Sequence, residues 1–352
     1  MDVALAENVA KSFRMQAKVC TGNHAPVSAA VLEGCADEIV HNGPLKDLLA
    51  QWSDHRPEAA VPLRVLGAVH RLVLDGAASE LNAYFPSVGG TFDAARIWPA
   101  VRDVINRSLP FIAGYLQRAP QTNESGRSAM LLGGFLAIAA ATRLPLRLLE
   151  IGASAGLNSF WDRYRVVTPN FSWGPPNSML ELNCRWDGPL PARDAPVSIA
   201  SRAACDKDPV DIRDPDDRAR LESYIWTDQA HRLKRIRQAC DIALANDVRV
   251  ERADAAVWLD EKLRDLPRGQ VTVVFHSVFR QYIGPEADAV LTRVLDDAAR
   301  RATTEAPLAH LAMEPVDMKS FPDITLRLWP GSGEARHLAQ AHYHGEWIKW
   351  WG

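Results

Sequence analysis

The stretch Leu146-Arg-Leu-Leu-Glu-Ile-Gly-Ala-Ser-Ala-Gly-Leu-Asn158 constrains this chain more than any other. Leu146, Leu148 and Leu149 form an apolar run that ends at Glu150. A turn of small residues follows, Gly152 to Gly156, and 157–165 reads as the first turns of a helix. A strand that passes into a helix through small residues leaves backbone N–H groups open at its carboxyl end, where doubly wound sheets take their ligands. Such a strand, apolar on both faces, needs parallel neighbours and helices on either side.

The rest of the chain supplies them. After 146, strand-like and helix-like segments alternate: 197–201, ending near Cys205-Asp206; a long charged amphipathic helix over 215–244; strand 248–254 and helix 255–264; the apolar strand 271–275 and helix 285–301; strand 308–314. Two strand-like runs, 324–329 and 337–350, flank Pro330-Gly-Ser-Gly333 and predict a closing antiparallel hairpin. Residues 166–195, rich in Pro, Gly and Trp, interrupt the rhythm as an insertion near the first unit, with one strand-like piece over 179–184. Residues 1–120 show only helical periodicity, as in Leu5, Val9, Phe13 and Ala17. The expectation is an α/β protein: an N-terminal helical region over 1–120, then 121–352 as a doubly wound, parallel sheet with an antiparallel C-terminal hairpin.

Composition narrows the function classes. A net charge of −3 gives no global field for nucleic acid or an anionic membrane. The longest apolar run, 129–141, is shorter than the about 20 residues a membrane span needs. The N-terminus lacks a basic region followed by an apolar one, so no signal peptide is expected. Five scattered cysteines without a C-x-x-C read as a reduced, cytoplasmic protein.

The turn admits two chemistries. G-x-S-x-G at 152–156 matches a serine-hydrolase elbow with Ser154 as nucleophile and a late His337, His342 or His344 as base. Against this, Glu150 stands at the strand end just before the turn, and Ala153 and Ala155 make the turn small throughout. The other reading is a nucleotide-type turn. Acidic residues at later strand ends, Asp206, Asp254 and Glu314, favour it, because carboxylates there accept hydrogen bonds from ribose hydroxyls and an adenine amino group.

Strand, E-x-G-x-x-x-G, helix, acidic strand ends and a final hairpin resemble a class I S-adenosylmethionine-dependent methyltransferase with a Rossmann-like sheet. More closely, the chain resembles a bacterial family known as domain of unknown function 2332. The stretches that carry this likeness are Gly67-Ala-Val-His-Arg-Leu-Val-Leu-Asp-Gly76, Tyr84-Phe-Pro-Ser-Val-Gly-Gly-Thr91, Gln121-Thr-Asn-Glu124, Leu149 to Asn158, Val274-Phe-His-Ser277 and His344-Gly-Glu-Trp347. The methyltransferase resemblance implies that Glu150, Gly152, Ala153, Ser154 and Gly156 hold the methionyl part of S-adenosylmethionine, with Asn158 beside them. It implies Asp206 on the ribose, Asp254 and the Ala255 backbone on adenine, and His276-Ser277 next to the reactive methyl. Two features depart from the pattern. Ser154 replaces the usual middle glycine, and Asp206 lies much further on than the about twenty residues usual for a ribose acid. The insertion accounts for the distance; otherwise Glu181 is the rival.

Methyl transfer from a sulfonium mainly needs positioning and desolvation, and a base only where the acceptor loses a proton. His276 and Glu314 are the candidate bases, and Tyr282, with Arg280 and Gln281, lines the acceptor side. The polar cluster Gln121-Thr-Asn-Glu-Ser-Gly-Arg127 reads either as a helix cap or as a ligand-facing helix start, with Gln121 and Asn123 toward the cofactor. His70, on an apolar helix, reads first as a hydrogen-bonded core histidine, and Ser87-Val-Gly-Gly-Thr91 as a connector. His342 and His344 share one strand face, a weak metal signal that leads to no metal expectation. The charge balance points to a small-molecule acceptor over nucleic acid. A non-catalytic S-adenosylmethionine- or nucleotide-binding regulator is the alternative.

Overall fold

The N-terminal helices form where the apolar spacing predicts them. In α1 (Val3–Gly22), Asp2 accepts the Leu5 N–H, and Ala6, Val9, Phe13, Ala17 and Cys20 recur on the buried side. Next come α2 (Pro26–Val40), α3 (Pro44–Ala50), α4 (Val61–Leu74), α5 (Ile97–Arg107) and α6 (Leu109–Leu116). A proline stands in the first turn of α2, α3, α4 and α6, where its missing N–H costs nothing. The computed structural model describes residues 1–52, 59–317 and 320–352.

Met1–Thr122 and Arg213–Arg237 together form one unit; Asn123–Ile212 and Gln238–Gly352 form the other. The first unit thus takes α8 (Pro215–Ser223) and the start of α9 (Ala230–Ala245) from the later chain. Where one helix over 215–244 is expected, the chain breaks between α8 and α9: Asp214 caps α8, and Tyr224 ends it. The linking residues do other work. Asp228 accepts the Val27 and Ser28 N–H groups at 2.7 and 3.0 Å, and so caps α2, whose own N-cap, Ala25, makes no side-chain bond.

In the second unit, α7 (Arg127–Thr142) precedes β1 (Leu146–Ile151). Glycines let α7 approach its neighbours: a Cβ at Gly133 would lie 2.5 Å from the Trp350 ring, and one at Gly134 2.3 Å from Leu311. The segment after β1 is a 3-10 helix, Leu157–Arg163, kinked at Phe160, rather than the α-helix expected. The insertion folds as β2 (Arg165–Val167), β3 (Ser172–Trp173) and β4 (Glu181–Asn183), a small sheet of order β3-β2-β4, followed by β5 (Arg185–Asp187). Then come β6 (Ile199–Asp206), β7 (Glu251–Arg252), α10 (Ala255–Lys262), β8 (Val271–Ser277), α11 (Gly284–Ala299), β9 (Leu308–Glu314), β10 (Asp323–Trp329), β11 (Arg336–Ala341) and β12 (Trp347–Trp350).

The main sheet has nine strands in the order β5-β12-β11-β10-β9-β8-β1-β6-β7. β7, β6, β1, β8 and β9 pair in parallel. β1, β8 and β9 are buried along nearly their whole length, as central parallel strands covered on both faces must be. The chain reverses direction across the sheet between β1 and β8, the topological switch point where ligands of open α/β sheets bind. The C-terminal end extends the expected hairpin to three antiparallel strands, and β5 of the insertion adds a parallel edge to β12. All five cysteines are buried. Among the described residues, no helix is long and apolar enough to cross a membrane.

Candidate functional site

The turn after β1 holds three left-handed residues: Gly152 at φ +62°, Ser154 at +54° and Gly156 at +73°. Glycine adopts this region freely; a serine there is strained and must be held. Asp206, at the end of β6, does the holding. Its Oδ2 accepts the Ser154 N–H at 2.8 Å and its Oδ1 the Asp208 N–H at 2.9 Å. The Ala153 N–H reaches the Cys205 carbonyl, and the Ala253 N–H the Asp206 carbonyl, so the ends of β1, β6 and β7 are sewn together. Asp254 follows β7 as the N-cap of α10, its exposed Oδ1 accepting the Ala256 and Val257 N–H groups. Ala255, half-buried, is the first residue of that helix.

Glu150 is only 4% exposed and accepts a 2.6 Å hydrogen bond from Ser159 Oγ. Burial raises its pKa to about 8, with the Asp206 charge adding to the rise. It braces the turn from inside the fold. Asn123 accepts the Leu157 N–H, and Asn158 the Ser128 hydroxyl, so both fix the start of the 3-10 segment. Gln121 falls in the first unit. Glu181 is exposed on β4 of the small sheet, where it accepts from the Asn183 side chain.

β8 and β9 carry the second half of the site. His276, 1% exposed, places Nδ1 2.6 Å from Glu314 Oε1 and Nε2 3.0 Å from His310 Nε2. His276 pairs opposite Ala312, so His310 and Glu314, two residues to either side on the same strand face, bracket it. Nδ1 of His276 faces the Glu314 carboxyl and Nε2 faces His310 Nε2, so a single hydrogen lies between the two imidazoles. Burial drives the His310 pKa well down, and the His276, Arg280 and Arg327 charges push the same way. Glu314 also accepts the Phe279 and Arg280 backbone N–H groups. This pins the loop after β8, where Val278 takes a left-handed φ of +54°. The Phe279 ring then stands over the first turn, so close that a Cβ at Gly152 would lie 2.2 Å from it. Arg127, at the start of α7, donates to the Ser277 carbonyl and to the Tyr343 carbonyl. Tyr282 is 70% exposed on the same loop.

The structure therefore brings Glu150, Ser154, Asp206, His276, Ser277 and Glu314 to one end of the parallel strands. It gives most of their polar atoms partners within the fold. The Ser154 hydroxyl is an exception, buried and without a hydrogen bond. Sequence reasoning missed His310, Ser159 and Phe279. The first had a readable signal: His310 and Glu314 are four apart on one strand, hence on one face, at the level of His276. A cavity of about 360 Å³ adjoins the turn through Gly156 and Ser159 and continues along Arg202, Asn246 and Val248.

This is a mixed α/β protein with a large, mostly parallel sheet and a polar cluster at its strand ends. The family described as "Uncharacterized protein conserved in bacteria" (DUF2332) matches residues 10–350, and the chain belongs to that family. No match is found among curated proteins or among solved structures.

Proposed function

We propose that this protein is an S-adenosylmethionine-dependent methyltransferase with a Rossmann-like sheet, acting on a small-molecule acceptor. One observation carries the reading: the left-handed turn after β1, the Asp206 carboxylate on the Ser154 N–H, and the Asp254 cap after β7 lie at adjoining parallel strand ends beside the β1–β8 switch point. The residues fit the cofactor in part. The orphaned Ser154 hydroxyl and the small turn suit a polar ligand, and Asp254 presents its carboxylate to solvent. Each Asp206 oxygen keeps a lone pair for a ribose hydroxyl. Glu150, buried and bonded to Ser159, shapes from inside the fold the turn that would hold the methionyl group.

When bound, the cofactor supplies an already activated methyl, so the protein's work is orientation and exclusion of water. Phe279 provides an apolar wall over the turn, held by Glu314 through the loop amides. Of the three predicted catalytic groups, Tyr282 alone is open to an acceptor from solvent, whereas His276 and Glu314 are turned to each other. That same observation favours a second reading, a non-catalytic S-adenosylmethionine-binding regulator. For the hydrolase alternative, Ser154 lacks a base on its hydroxyl, and labelling by a fluorophosphonate is expected to fail. The near-neutral charge and five scattered, buried cysteines suit a cytoplasmic enzyme of small molecules.

Calorimetry with S-adenosylmethionine and S-adenosylhomocysteine tests the reading. Binding of both is expected, and Asp254→Ala should weaken it by about 1–3 kcal/mol. Binding of neither overturns both readings; binding without turnover over a broad acceptor panel selects the regulator.

A further inference from the structure

The helical unit contains a buried guanidinium whose N–H donors its own fold leaves unsatisfied. Arg220, on α8, has a side chain only 3% exposed, yet Nε, Nη1 and Nη2 all lack a hydrogen-bond acceptor. A guanidinium stays charged in any protein and carries five N–H donors, so burying it without acceptors is strongly unfavourable. Its nearest carboxylate is Asp217, whose Oδ1 lies 3.6 Å from Arg220 Nη2 and 3.3 Å from Arg118 Nη1. One carboxylate is thus shared between two guanidiniums, at ion-pair distance from Arg220 and without a hydrogen bond to it.

One helical turn on, on the same side, stands Tyr224, whose buried hydroxyl also has no partner. Burial holds its pKa above the ordinary tyrosine value, so it remains a donor. Tyr115, 5.8 Å away between ring centroids, donates its hydroxyl to Ser223 Oγ and makes no hydrogen bond to Tyr224. α4 passes close by because residue 67 is glycine; a Cβ there would lie 2.7 Å from the Tyr224 ring. Two neighbouring buried groups, one cationic fork and one hydroxyl, therefore both offer hydrogens with no protein acceptor.

We propose that Arg220 and Tyr224 form a binding site for an oxyanion group, a carboxylate or a phosphate, whose oxygens accept from the guanidinium fork and the tyrosine hydroxyl. Both groups share the required chemistry, since planar carboxylate and tetrahedral phosphate each take a guanidinium through two oxygens. The site lies wholly in the helical unit and stands independently of the methyl-transfer reading.

The test uses the full chain and two probes, inorganic phosphate and succinate, with chloride at matched ionic strength as reference. Ligand that binds only the native state raises the unfolding midpoint with concentration. Wild type is expected to gain midpoint with one or both probes beyond chloride, and the probe that acts identifies the group. Arg220→Met removes the buried charge while keeping volume. It is expected to be at least as stable as wild type in chloride and to lose the oxyanion response. Tyr224→Phe, which keeps the ring, should weaken the apparent affinity roughly tenfold. Arg268→Met, at an 84% exposed side chain, should respond like wild type. An equal response of wild type and Arg220→Met, or no response beyond chloride in wild type, overturns the proposal. If Arg220→Met fails to fold, Tyr224→Phe decides alone, and an unchanged affinity there has the same effect.

Discussion

At the strand ends of the second unit, Glu150, Asp206, His276 and Glu314 are each bonded to a side chain or a backbone amide. In the helical unit, the Arg220 guanidinium and the Tyr224 hydroxyl, just as enclosed, meet no acceptor. The difference separates two uses of buried polarity. Satisfied groups hold loops in place, as Asp206 holds the first turn and Glu314 the loop after β8. Unsatisfied groups cost stability unless something from outside completes them.

The largest effect expected from breaking this comparison lies at the turn. Gly152→Val puts a branched side chain at φ +62° against the Phe279 ring, and should cost about 2–4 kcal/mol in chemical denaturation. Adding Phe279→Ala should return only the part due to the ring; full recovery would show that the left-handed backbone costs nothing. Next, His276→Ala removes the imidazole that stands between Glu314 and His310, leaving Glu314 only the loop amides. It should destabilise by about 1–3 kcal/mol and loosen the 279–280 loop, seen as faster amide exchange there. Unchanged stability would mean that the pair is not needed to hold the fold.

Two buried groups, one in each unit, contribute pH dependences of opposite sign. Glu150, with its folded pKa raised to about 8 from an ordinary 4.5, binds more protons folded than unfolded between those values. Stability from this site is therefore full below pH 4.5 and is lost as pH rises toward 8, with a slope of up to about 1.4 kcal/mol per pH unit. His70 is the reverse. Buried, with Nδ1 on the Ser223 carbonyl and Nε2 on Ser87 Oγ, its pKa is lowered to about 4, mainly by burial. Its contribution is full above pH 6.5 and is lost as pH falls to 4. Stability of Glu150→Gln relative to wild type should rise from pH 5 to pH 8, and that of His70→Gln should fall from pH 4 to pH 6.5. Parallel curves for either variant would remove that group from the account. The smallest effect is at Asp254→Ala, where loss of the α10 cap should cost about 1 kcal/mol.

Much of this organisation was legible in the residues. β1, β8 and β9 are apolar runs long enough to read directly, and each ends in the polar residue that enters the site. The third parallel strand was overextended because only Glu251 and Arg252, both exposed, pair with β6. The break between α8 and α9 was hidden because apolar periodicity runs on through Ile225, while the function of Asp228 depends on a helix two hundred positions earlier. The β5–β12 pairing is equally non-local. At the site, acidic strand ends could be named, but not which were tied up. Whether Glu150 faces a ligand or Ser159 depends on the 3-10 course of 157–163, which no local pattern announces.

The cap that Asp228 places on α2 has a consequence for how the protein is made. At about 5–20 residues per second, roughly 10–40 s of synthesis separate α2 from the residue that completes its first turn. During that interval β1 to β6 emerge from the ribosome, so α2 waits for a capping segment delivered after the first strands of the other unit. A chain stopped after residue 122 would carry an unfinished α2, and a nick between 122 and 213 would split one folding unit into two pieces.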